Sequence, residues 1–217
     1  MKYPLAERFK APQGEGDYAG TPMAFMRFVG CSVGQGVCTH CDTEFDRVRP
    51  DLGGGVYELA ELLEWVGDYR HVCLTGGEPL DRDLQEIIAA CGEKDIVVHV
   101  ETSGTKIPKW LLEWHTADTM PWNLWICVSP KPGYVSEMII IASELKVIIG
   151  GLGDGPGWPT VEEAVTWERL CDVSVYIQPR NFTKTVDLQA LDAALKLLDA
   201  NPTLKLSVQL HKFIGTR

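Results

Sequence analysis

Basic residues are scarce in this chain of 217 residues. It holds 20 Lys and Arg against 30 Asp and Glu, which gives a net charge of -10. Proteins that bind a nucleic-acid backbone do so through clustered positive charge, and this balance argues against a large surface of that kind. We therefore expect no nucleic acid among the partners, whereas a small anionic substrate can still meet a local arginine.

Long apolar runs are also missing. No stretch reaches the roughly 18 apolar residues that a membrane-spanning helix needs, and residues 1–8 lack the apolar core of a signal peptide. We predict a cytoplasmic protein that does not bind a membrane. The sequence also lacks internal repeats, low-complexity tracts and linker-like segments, which favours a single domain over residues 1–217.

Short apolar runs alternate with amphipathic stretches along the chain. The predicted strands cover residues 23–29, 71–74, 96–100, 124–128, 145–149, 173–177 and 204–210. The predicted helices cover residues 59–66, 84–91, 160–171 and 187–201. This alternation indicates an α/β fold of parallel βαβ units, as either a doubly wound sheet or a partial (β/α) barrel.

Local signals refine these elements. Gly92 is predicted to end its helix, and Thr160 and Glu163 have the spacing of a capping box. One face of the last helix is predicted to carry Leu188, Leu191, Leu195 and Leu198. One face of the last strand is predicted to carry Lys205, Ser207, Gln209 and His211.

Polar residues follow six of the seven predicted strands. In parallel α/β folds, ligands bind at the carboxyl ends of the strands, so this clustering predicts a site there. The segments concerned are residues 31–43, 75–79, 101–105, 129–131, 178–179 and 209–211.

Seven cysteines, an odd number in a chain predicted to be cytoplasmic, are poor candidates for disulfides. Four lie singly in apolar stretches and are predicted to be small buried side chains, namely Cys73, Cys91, Cys127 and Cys171. The other three share one loop with Gly34 and Gly36 in the spacing Cys-x6-Cys-x2-Cys, namely Cys31, Cys38 and Cys41.

Two kinds of metal centre are compatible with three cysteines in one loop. Zinc normally takes four ligands, and no second Cys-x2-Cys is present, so His40 or His71 would have to complete the site. A [4Fe-4S] cluster held by three cysteines instead leaves one iron open, which the amino and carboxylate groups of S-adenosylmethionine can chelate.

Residues 76–79, Gly-Gly-Glu-Pro, are similar to the GGEP motif of the radical SAM superfamily. More specifically, the chain resembles the 7-carboxy-7-deazaguanine synthase family along nearly its whole length. The matching segments are residues 13–16, 27–28, 41–43, 76–79, 101–105, 128–131, 144–146, 178–179 and 209–212. The first cysteine interval holds six residues where the family usually has three, and Gly34 and Gly36 allow the loop to absorb the difference.

The resemblance implies a partial (β/α) barrel of radical SAM type, with parallel strands and the helices outside. It also implies the conversion of 6-carboxy-5,6,7,8-tetrahydropterin to 7-carboxy-7-deazaguanine with loss of ammonia, in the biosynthesis of queuosine-type 7-deazapurines. The implied cofactors are a [4Fe-4S] cluster, S-adenosylmethionine and Mg2+. The implied partners are the pterin substrate, an external flavodoxin-like electron donor and a second copy of the chain in a homodimer.

The resemblance also implies roles for individual residues. The cluster is held by Cys31, Cys38 and Cys41, and Thr43 helps to hold Mg2+. The residues implied for S-adenosylmethionine are His40, Gly76, Gly77, Glu78, Glu101, Ser103, Ser129, Lys131 and Gln178. Those implied for the substrate are Gln13, Glu15, Gly16, Arg27, Thr75, Gly76 and His211.

Arg27 is the candidate to clamp the substrate carboxylate, because a guanidinium within an apolar strand requires an anionic partner. An ion pair with an internal glutamate is the alternative for Arg27.

Two other functions remain open at this point. A radical SAM activase, which makes a glycyl radical on a partner enzyme, would share the cysteines and the Gly-Gly-Glu segment. It would have little use for the polar set of Gln13, Glu15, Arg27 and His211. A zinc-stabilised binding module without catalytic activity is the third hypothesis.

Overall fold

Strands and helices alternate along the chain in the computed structural model, which describes residues 1–34, 37–38, 41, 44–149, 155–171, 173–181 and 187–215. The strands are β1 (Lys2–Pro12), β2 (Pro22–Phe28), β3 (Gly55–Glu58), β4 (His71–Gly76), β5 (Val97–Thr102), β6 (Leu124–Val128), β7 (Glu144–Ile149), β8 (Ser174–Pro179) and β9 (Lys205–Leu206). The helices are α1 (Leu59–Val66), α2 (Gln85–Gly92), α3 (Lys109–Thr116), α4 (Ser136–Ile140), α5 (Val161–Cys171), α6 (Leu188–Ala200) and α7 (Leu210–Ile214).

The chain divides into two units. The first comprises Met1–Ala11, Pro22–Thr102 and Lys106–Ile126, and its strand order is β3-β1-β2-β4-β5-β6. The second comprises Pro12–Thr21, Ser103–Thr105 and Cys127–Arg217, and its strand order is β6-β7-β8-β9.

The sheet is mainly parallel, and the order of its described strands ends at β3 and at β9 without closing into a ring. Parallel pairs are β2 with β4, β4 with β5, β6 with β7, β7 with β8 and β8 with β9, whereas β1 and β3 are antiparallel. The inner strands bury nearly every side chain, as parallel strands covered on both faces do. The predicted α/β class is confirmed, with an open sheet as in a partial barrel.

The capping box at the start of α5 is present as predicted. Thr160 N–H donates to Oε2 of Glu163 at 2.7 Å, and Glu163 N–H donates to Oγ1 of Thr160 at 3.1 Å. These two bonds satisfy donors that the first turn of a helix otherwise leaves unpaired.

Five of the described strands and helices were not predicted, namely β1, β3, α3, α4 and α7. The 11 residues of β1 include Pro4 and Pro12 and several charged side chains, so they contain neither an apolar run nor strict alternation. β3 and α4 are only 4 and 5 residues long, too short for a periodic pattern to register.

The prediction of a strand over residues 204–210 is wrong beyond Leu206. Ser207 N–H still donates to the carbonyl of Ile177 at 3.0 Å, but Leu210 N–H donates to the carbonyl of Gly14 at 2.8 Å, and α7 begins there. The four polar residues therefore do not share one strand face: Gln209 caps α7 and His211 lies within it.

The predicted leucine face of α6 is not its buried face. Leu188 is 74% exposed and Leu195 is 46% exposed, whereas Ala190 and Ala194 are buried. Leu191 and Leu198 are half-buried, so the predicted leucine face is covered only in part. The small side chains of the alanines allow the helix backbone to approach β8 closely.

Gly92 lies one residue before its predicted position, which was just past the end of the helix. It is the last helical residue, and the chain continues to Asp95, whose φ is 55°. Ile96 N–H then donates to the carbonyl of Cys91 at 2.9 Å, which satisfies an acceptor at the helix end.

Cys73, Cys91 and Cys127 are buried as predicted. The prediction is wrong for Cys171, which is half-buried at the end of α5. No helix within the described part of the chain combines the length and apolar character needed to cross a bilayer.

Candidate active site

Three thiols lie in the loop that follows β2. Cys31 and Cys38 are half-buried, Cys41 is exposed, and all three are free of disulfides. Cys41 N–H donates to the carbonyl of Cys38 at 3.1 Å. Burial raises the pKa of the Cys31 thiol, and the negative charges of Glu78 and Asp81 act in the same direction.

The Gly-Gly-Glu-Pro turn lies directly against the start of this loop. Gly77 N–H donates to the carbonyl of Phe28 at 3.2 Å, and Glu78 N–H donates to the carbonyl of Gly30 at 3.2 Å. A Cβ at residue 77 would overlap the carbonyl oxygen of Gly30. Glycine is therefore required where this turn meets the backbone next to Cys31.

Glu78 is buried and joins two elements at this turn. Its Oε1 accepts from Oγ1 of Thr102 at 2.6 Å and from the N–H of Leu80 at 3.2 Å. Glu101, which immediately precedes Thr102 at the end of β5, is half-buried. The carboxylate of Glu78 thus fixes the end of β5 to the turn.

Arg27 pairs with Glu7, which is the alternative that the sequence left open. The Nε of Arg27 lies 2.7 Å from Oε1 of Glu7, and the side chains are 20% and 14% exposed. Thr75 on β4 is the parallel neighbour of Arg27 in the sheet. Glu7 lies on β1, the strand that the sequence did not predict.

In the second unit, three donors converge on the carboxylate of Glu15. The Nζ of Lys146 lies 2.6 Å from Oε2, while Nε2 of Gln178 and Nε2 of Gln209 donate to Oε1 at 3.1 and 2.9 Å. An ionised carboxylate offers about four acceptor positions, of which these bonds occupy three. Among the described residues, no donor occupies the remaining position, which is on Oε2 beside the ammonium group.

The Glu15 carboxyl stays ionised in this setting. Burial acts to raise its pKa, but Lys146, by charge and hydrogen bond, and the contributions of Gln209 and His211 outweigh burial and lower the pKa to about 2. A ligand at Glu15 therefore meets a fixed negative charge.

The donors to Glu15 are themselves held by further hydrogen bonds. The Oγ of Ser207 donates to Oε1 of Gln178 at 2.9 Å, and Nδ2 of Asn181 donates to Oε1 of Gln209 at 3.1 Å. Gly16 N–H in turn donates to Oγ of Ser207 at 3.2 Å. The amide of Gln178, expected near S-adenosylmethionine, is thus bonded at both ends in this network.

His211 packs against the segment that carries Gln13 and Glu15. A Cβ at Gly14 would overlap Nδ1 of the His211 ring. Gln13 is buried, and its Oε1 accepts from the N–H of Gly14 at 2.8 Å. The substrate residues expected at 13, 15, 16 and 211 therefore lie together.

Ser103, Ser129 and Lys131 also come together in the second unit. Lys131 N–H donates to the carbonyl of Ser103 at 3.1 Å, and its Nζ donates to Oγ of Ser129 at 2.6 Å. The same ammonium lies 5.6 Å from the ring centre of Trp158.

His40 and Thr43, expected at S-adenosylmethionine and Mg2+, lie outside the described residues. His71, the other residue considered for zinc, has its Nδ1 2.9 Å from Nε2 of His99. Burial lowers the pKa of His99 to about 3, with His71 adding to the effect. The donor set that the described loop offers a metal centre is three thiols, which fits a cluster that keeps one iron open.

Comparison with known proteins identifies the family. The model of the radical SAM superfamily matches residues 26–123. A 7-carboxy-7-deazaguanine synthase from Bradyrhizobium diazoefficiens is 33% identical, with 100% of both chains covered. The chain belongs to the 7-carboxy-7-deazaguanine synthase family. The synthase from Bordetella pertussis is 31% identical over 99% of both chains.

The fold agrees with this family membership. The crystal structure of QueE from Escherichia coli matches with a TM-score of 0.74 and 25% sequence identity. The match covers 97% of this chain and 95% of that chain. Radical SAM family membership implies a [4Fe-4S] cluster and S-adenosylmethionine, and the three thiols of the loop after β2 fit the cluster.

Sequence reasoning missed the partners of Glu15. Lys146 lies mid-strand among apolar residues and is nearly fully buried. Its buried ammonium group needs an anionic partner for the same reason as the guanidinium of Arg27. Gln209 carried no such signal, since its position depends on where β9 ends.

Proposed function

We propose that this chain catalyses the radical SAM ring contraction of 6-carboxy-5,6,7,8-tetrahydropterin to 7-carboxy-7-deazaguanine with loss of ammonia, in 7-deazapurine biosynthesis. The observation that carries the proposal is the 33% identity to a 7-carboxy-7-deazaguanine synthase across the whole of both chains. The fold shared with QueE supports it. We further propose that residues 1–217 act as one radical SAM domain.

The cluster is assigned to Cys31, Cys38 and Cys41. When bound, the cluster and S-adenosylmethionine together supply a one-electron reductive cleavage and the hydrogen-atom abstraction that starts the ring contraction. The protein's task is to present three thiolates from one loop, and the bonds from Gly77 and Glu78 hold the first residues of that loop.

The residues assigned to S-adenosylmethionine extend from the cysteine loop to the later strand ends. Support comes from the glycine that the turn requires at residue 77 and from the mutual contacts of Ser103, Ser129 and Lys131. The full set is His40, Gly76, Gly77, Glu78, Glu101, Ser103, Ser129, Lys131 and Gln178.

Substrate recognition is assigned to the residues that the family resemblance implies. The pterin has a donor-rich edge, and Glu15, ionised and with one acceptor position remaining on Oε2, suits a single charge-assisted hydrogen bond from that edge. Arg27, oriented by Glu7, is assigned to the substrate carboxylate. The remaining substrate residues are Gln13, Gly16, Thr75, Gly76 and His211.

Four further points belong to the same proposal. Thr43 is assigned to a Mg2+ ion, an oxygen-seeking cation for which a hydroxyl is a suitable ligand. The electron donor is proposed to be an external flavodoxin-like protein. The protein is proposed to act as a homodimer in the cytoplasm.

The test is anaerobic reconstitution with iron and sulfide, followed by incubation with dithionite, S-adenosylmethionine, Mg2+ and 6-carboxytetrahydropterin. Mass spectrometry is expected to detect 7-carboxy-7-deazaguanine. Formation of 5′-deoxyadenosine alone would leave the radical chemistry standing and overturn the substrate. A reconstituted cluster that yields neither compound would overturn the proposed function.

Cysteine variants connect the activity to the assigned ligands. Cys31→Ala is expected to abolish the brown chromophore, whereas Cys171→Ala, at the end of α5, is the matched control and keeps it. Full iron content in Cys31→Ala would contradict the ligand assignment.

The other hypotheses gain no support from the relatives, which are named as synthases. An activase would form a glycyl radical on a partner without consuming the pterin. A zinc module would remain colourless and hold stoichiometric zinc after reconstitution with iron and sulfide.

A further inference from the structure

Two side chains just beyond the Gly-Gly-Glu-Pro turn bind the backbone on either side of Cys31. The Oδ2 of Asp81 accepts from the N–H of Ser32 at 2.8 Å. The Nη2 of Arg82 donates to the carbonyl oxygen of Val29. Residues 29 and 32 bracket Cys31, so its backbone is fixed from both directions.

Both side chains are anchored in turn. The Oδ1 of Asp81 lies 3.3 Å from Nζ of Lys106, and the guanidinium of Arg82 lies 5.0 Å from the ring centre of Phe28. Within the described part of the chain, Nη1 of Arg82 is buried and has no hydrogen-bond partner. A buried cationic donor without a hydrogen-bond partner lowers the stability of the folded protein, so a gain in stability alone does not explain why an arginine is at this position.

The length of the cysteine loop explains what the contacts of Asp81 and Arg82 contribute. With six residues between Cys31 and Cys38, the loop is longer than the three-residue interval usual in the family, and closing a longer loop around a metal centre costs more conformational entropy. Fixing one end of the loop in advance reduces that cost.

We infer that Asp81 and Arg82 are positioning residues for the cluster, holding residues 29–32 so that Cys31 is in place as a ligand before the cluster binds. This inference rests on the proposed function, in which Cys31 is a cluster ligand. Neither residue belongs to the Gly-Gly-Glu-Pro segment, and neither touches the cluster in this account. They act through the backbone of Val29 and Ser32.

The experiment measures cluster retention and not turnover. Reconstituted wild type, Asp81→Ala, Arg82→Leu and Asp83→Ala are challenged anaerobically with an iron chelator, and the visible absorption of the cluster is followed. Asp83 is the matched control, because its carboxylate accepts from the N–H of Gln85 at 3.0 Å and makes no hydrogen bond to the described residues of the cysteine loop.

Asp81→Ala and Arg82→Leu are expected to lose the cluster about tenfold faster than wild type, the factor expected for one lost hydrogen bond to a charged group. Asp83→Ala is expected to match wild type. Asp81→Asn keeps an oxygen acceptor for Ser32 N–H and is expected to retain most of the lifetime, a rescue that a general loss of stability would not show.

Equal lifetimes for wild type, Asp81→Ala and Arg82→Leu would overturn the inference. So would an Asp81→Asn variant that decays as fast as Asp81→Ala, because charge and not the hydrogen bond would then be responsible. If Asp81→Ala fails to fold, the Arg82→Leu lifetime decides alone. A wild-type protein that takes up no iron would instead overturn the proposed function.

Discussion

The ammonium of Lys146 lies 2.6 Å from Oε2 of Glu15, and the two side chains are only 3% and 17% exposed. Both groups have lost most of their hydration, so the attraction between them offsets the free-energy cost of removing each charge from water. The pair links β7 to the segment between β1 and β2, and the negative charge proposed to meet the substrate exists because Lys146 faces it.

Lys146→Met is expected to destabilise the protein by about 3–5 kcal/mol, since it leaves a buried carboxylate without its cation. Urea unfolding of the protein without cofactors measures the change. The double variant Glu15→Gln, Lys146→Met removes both charges and is expected to recover much of the loss. A loss below about 1 kcal/mol in Lys146→Met would show the pair to be no stronger than a surface ion pair.

The same pair predicts how stability depends on pH. The pKa of Glu15 is lowered from its ordinary 4.5 to about 2 on folding, so its contribution is fully present above about pH 4.5 and is lost as the pH falls toward 2. The stability advantage of wild type over Glu15→Gln is therefore expected to be constant from pH 7 to pH 5 and to shrink below about pH 4.5. An advantage that stays unchanged down to pH 3 would contradict the lowered pKa.

Arg27→Ala is expected to raise KM for the pterin about ten- to hundredfold, the range for losing a hydrogen bond to a charged group, while the iron content stays at the wild-type level. Glu7→Gln keeps an oxygen acceptor for Nε of Arg27 and is expected to have the smaller effect. Steady-state kinetics with iron analysis distinguish the two variants. Unchanged KM in Arg27→Ala would remove the clamp role and leave the ion pair with Glu7 as the function of this arginine.

Gly14→Ala tests the contact between Gly14 and His211. The added Cβ collides with the imidazole ring, and overpacking of this kind costs about 1–3 kcal/mol. In a His211→Ala background the space is free, so the same substitution is expected to cost less than about 0.5 kcal/mol. Equal losses in the two backgrounds, measured as a double-mutant cycle, would show that the two residues do not couple.

The sequence predicts most of the parallel strands, because the apolar residues of each strand already indicate that it is buried. The runs that form β2 and β4 to β8 are short, apolar and bounded by turns, so each can be recognised as a strand from its own residues. β1 cannot be recognised in this way, because its prolines and charged residues are compatible with a strand only when β2 and β3 lie beside it. The partner of Arg27 was therefore out of reach, because Glu7 lies on that strand.

Site residues could be predicted where they form a contiguous motif. They could not be predicted where their position depends on how the chain folds after a strand. Gly76, Gly77 and Glu78 are recognisable as a segment. Gln209 reaches Glu15 only because β9 stops at Leu206 and the chain turns toward Gly14, whereas the alternation through residue 210 predicted a straight strand. Tertiary contacts outweighed that local pattern.

Glu15 is synthesised well before its partners. Lys146, Gln178 and Gln209 come 131, 163 and 194 positions after it. Chains emerge from the ribosome amino end first, and contacts between distant positions form only when both have emerged. The pairing of β2 with β4 needs far less chain. The hydrogen-bond network at Glu15 is consequently completed only after residue 209 has emerged from the ribosome, and a chain that stops short of residue 209 has this carboxylate without its full set of donors.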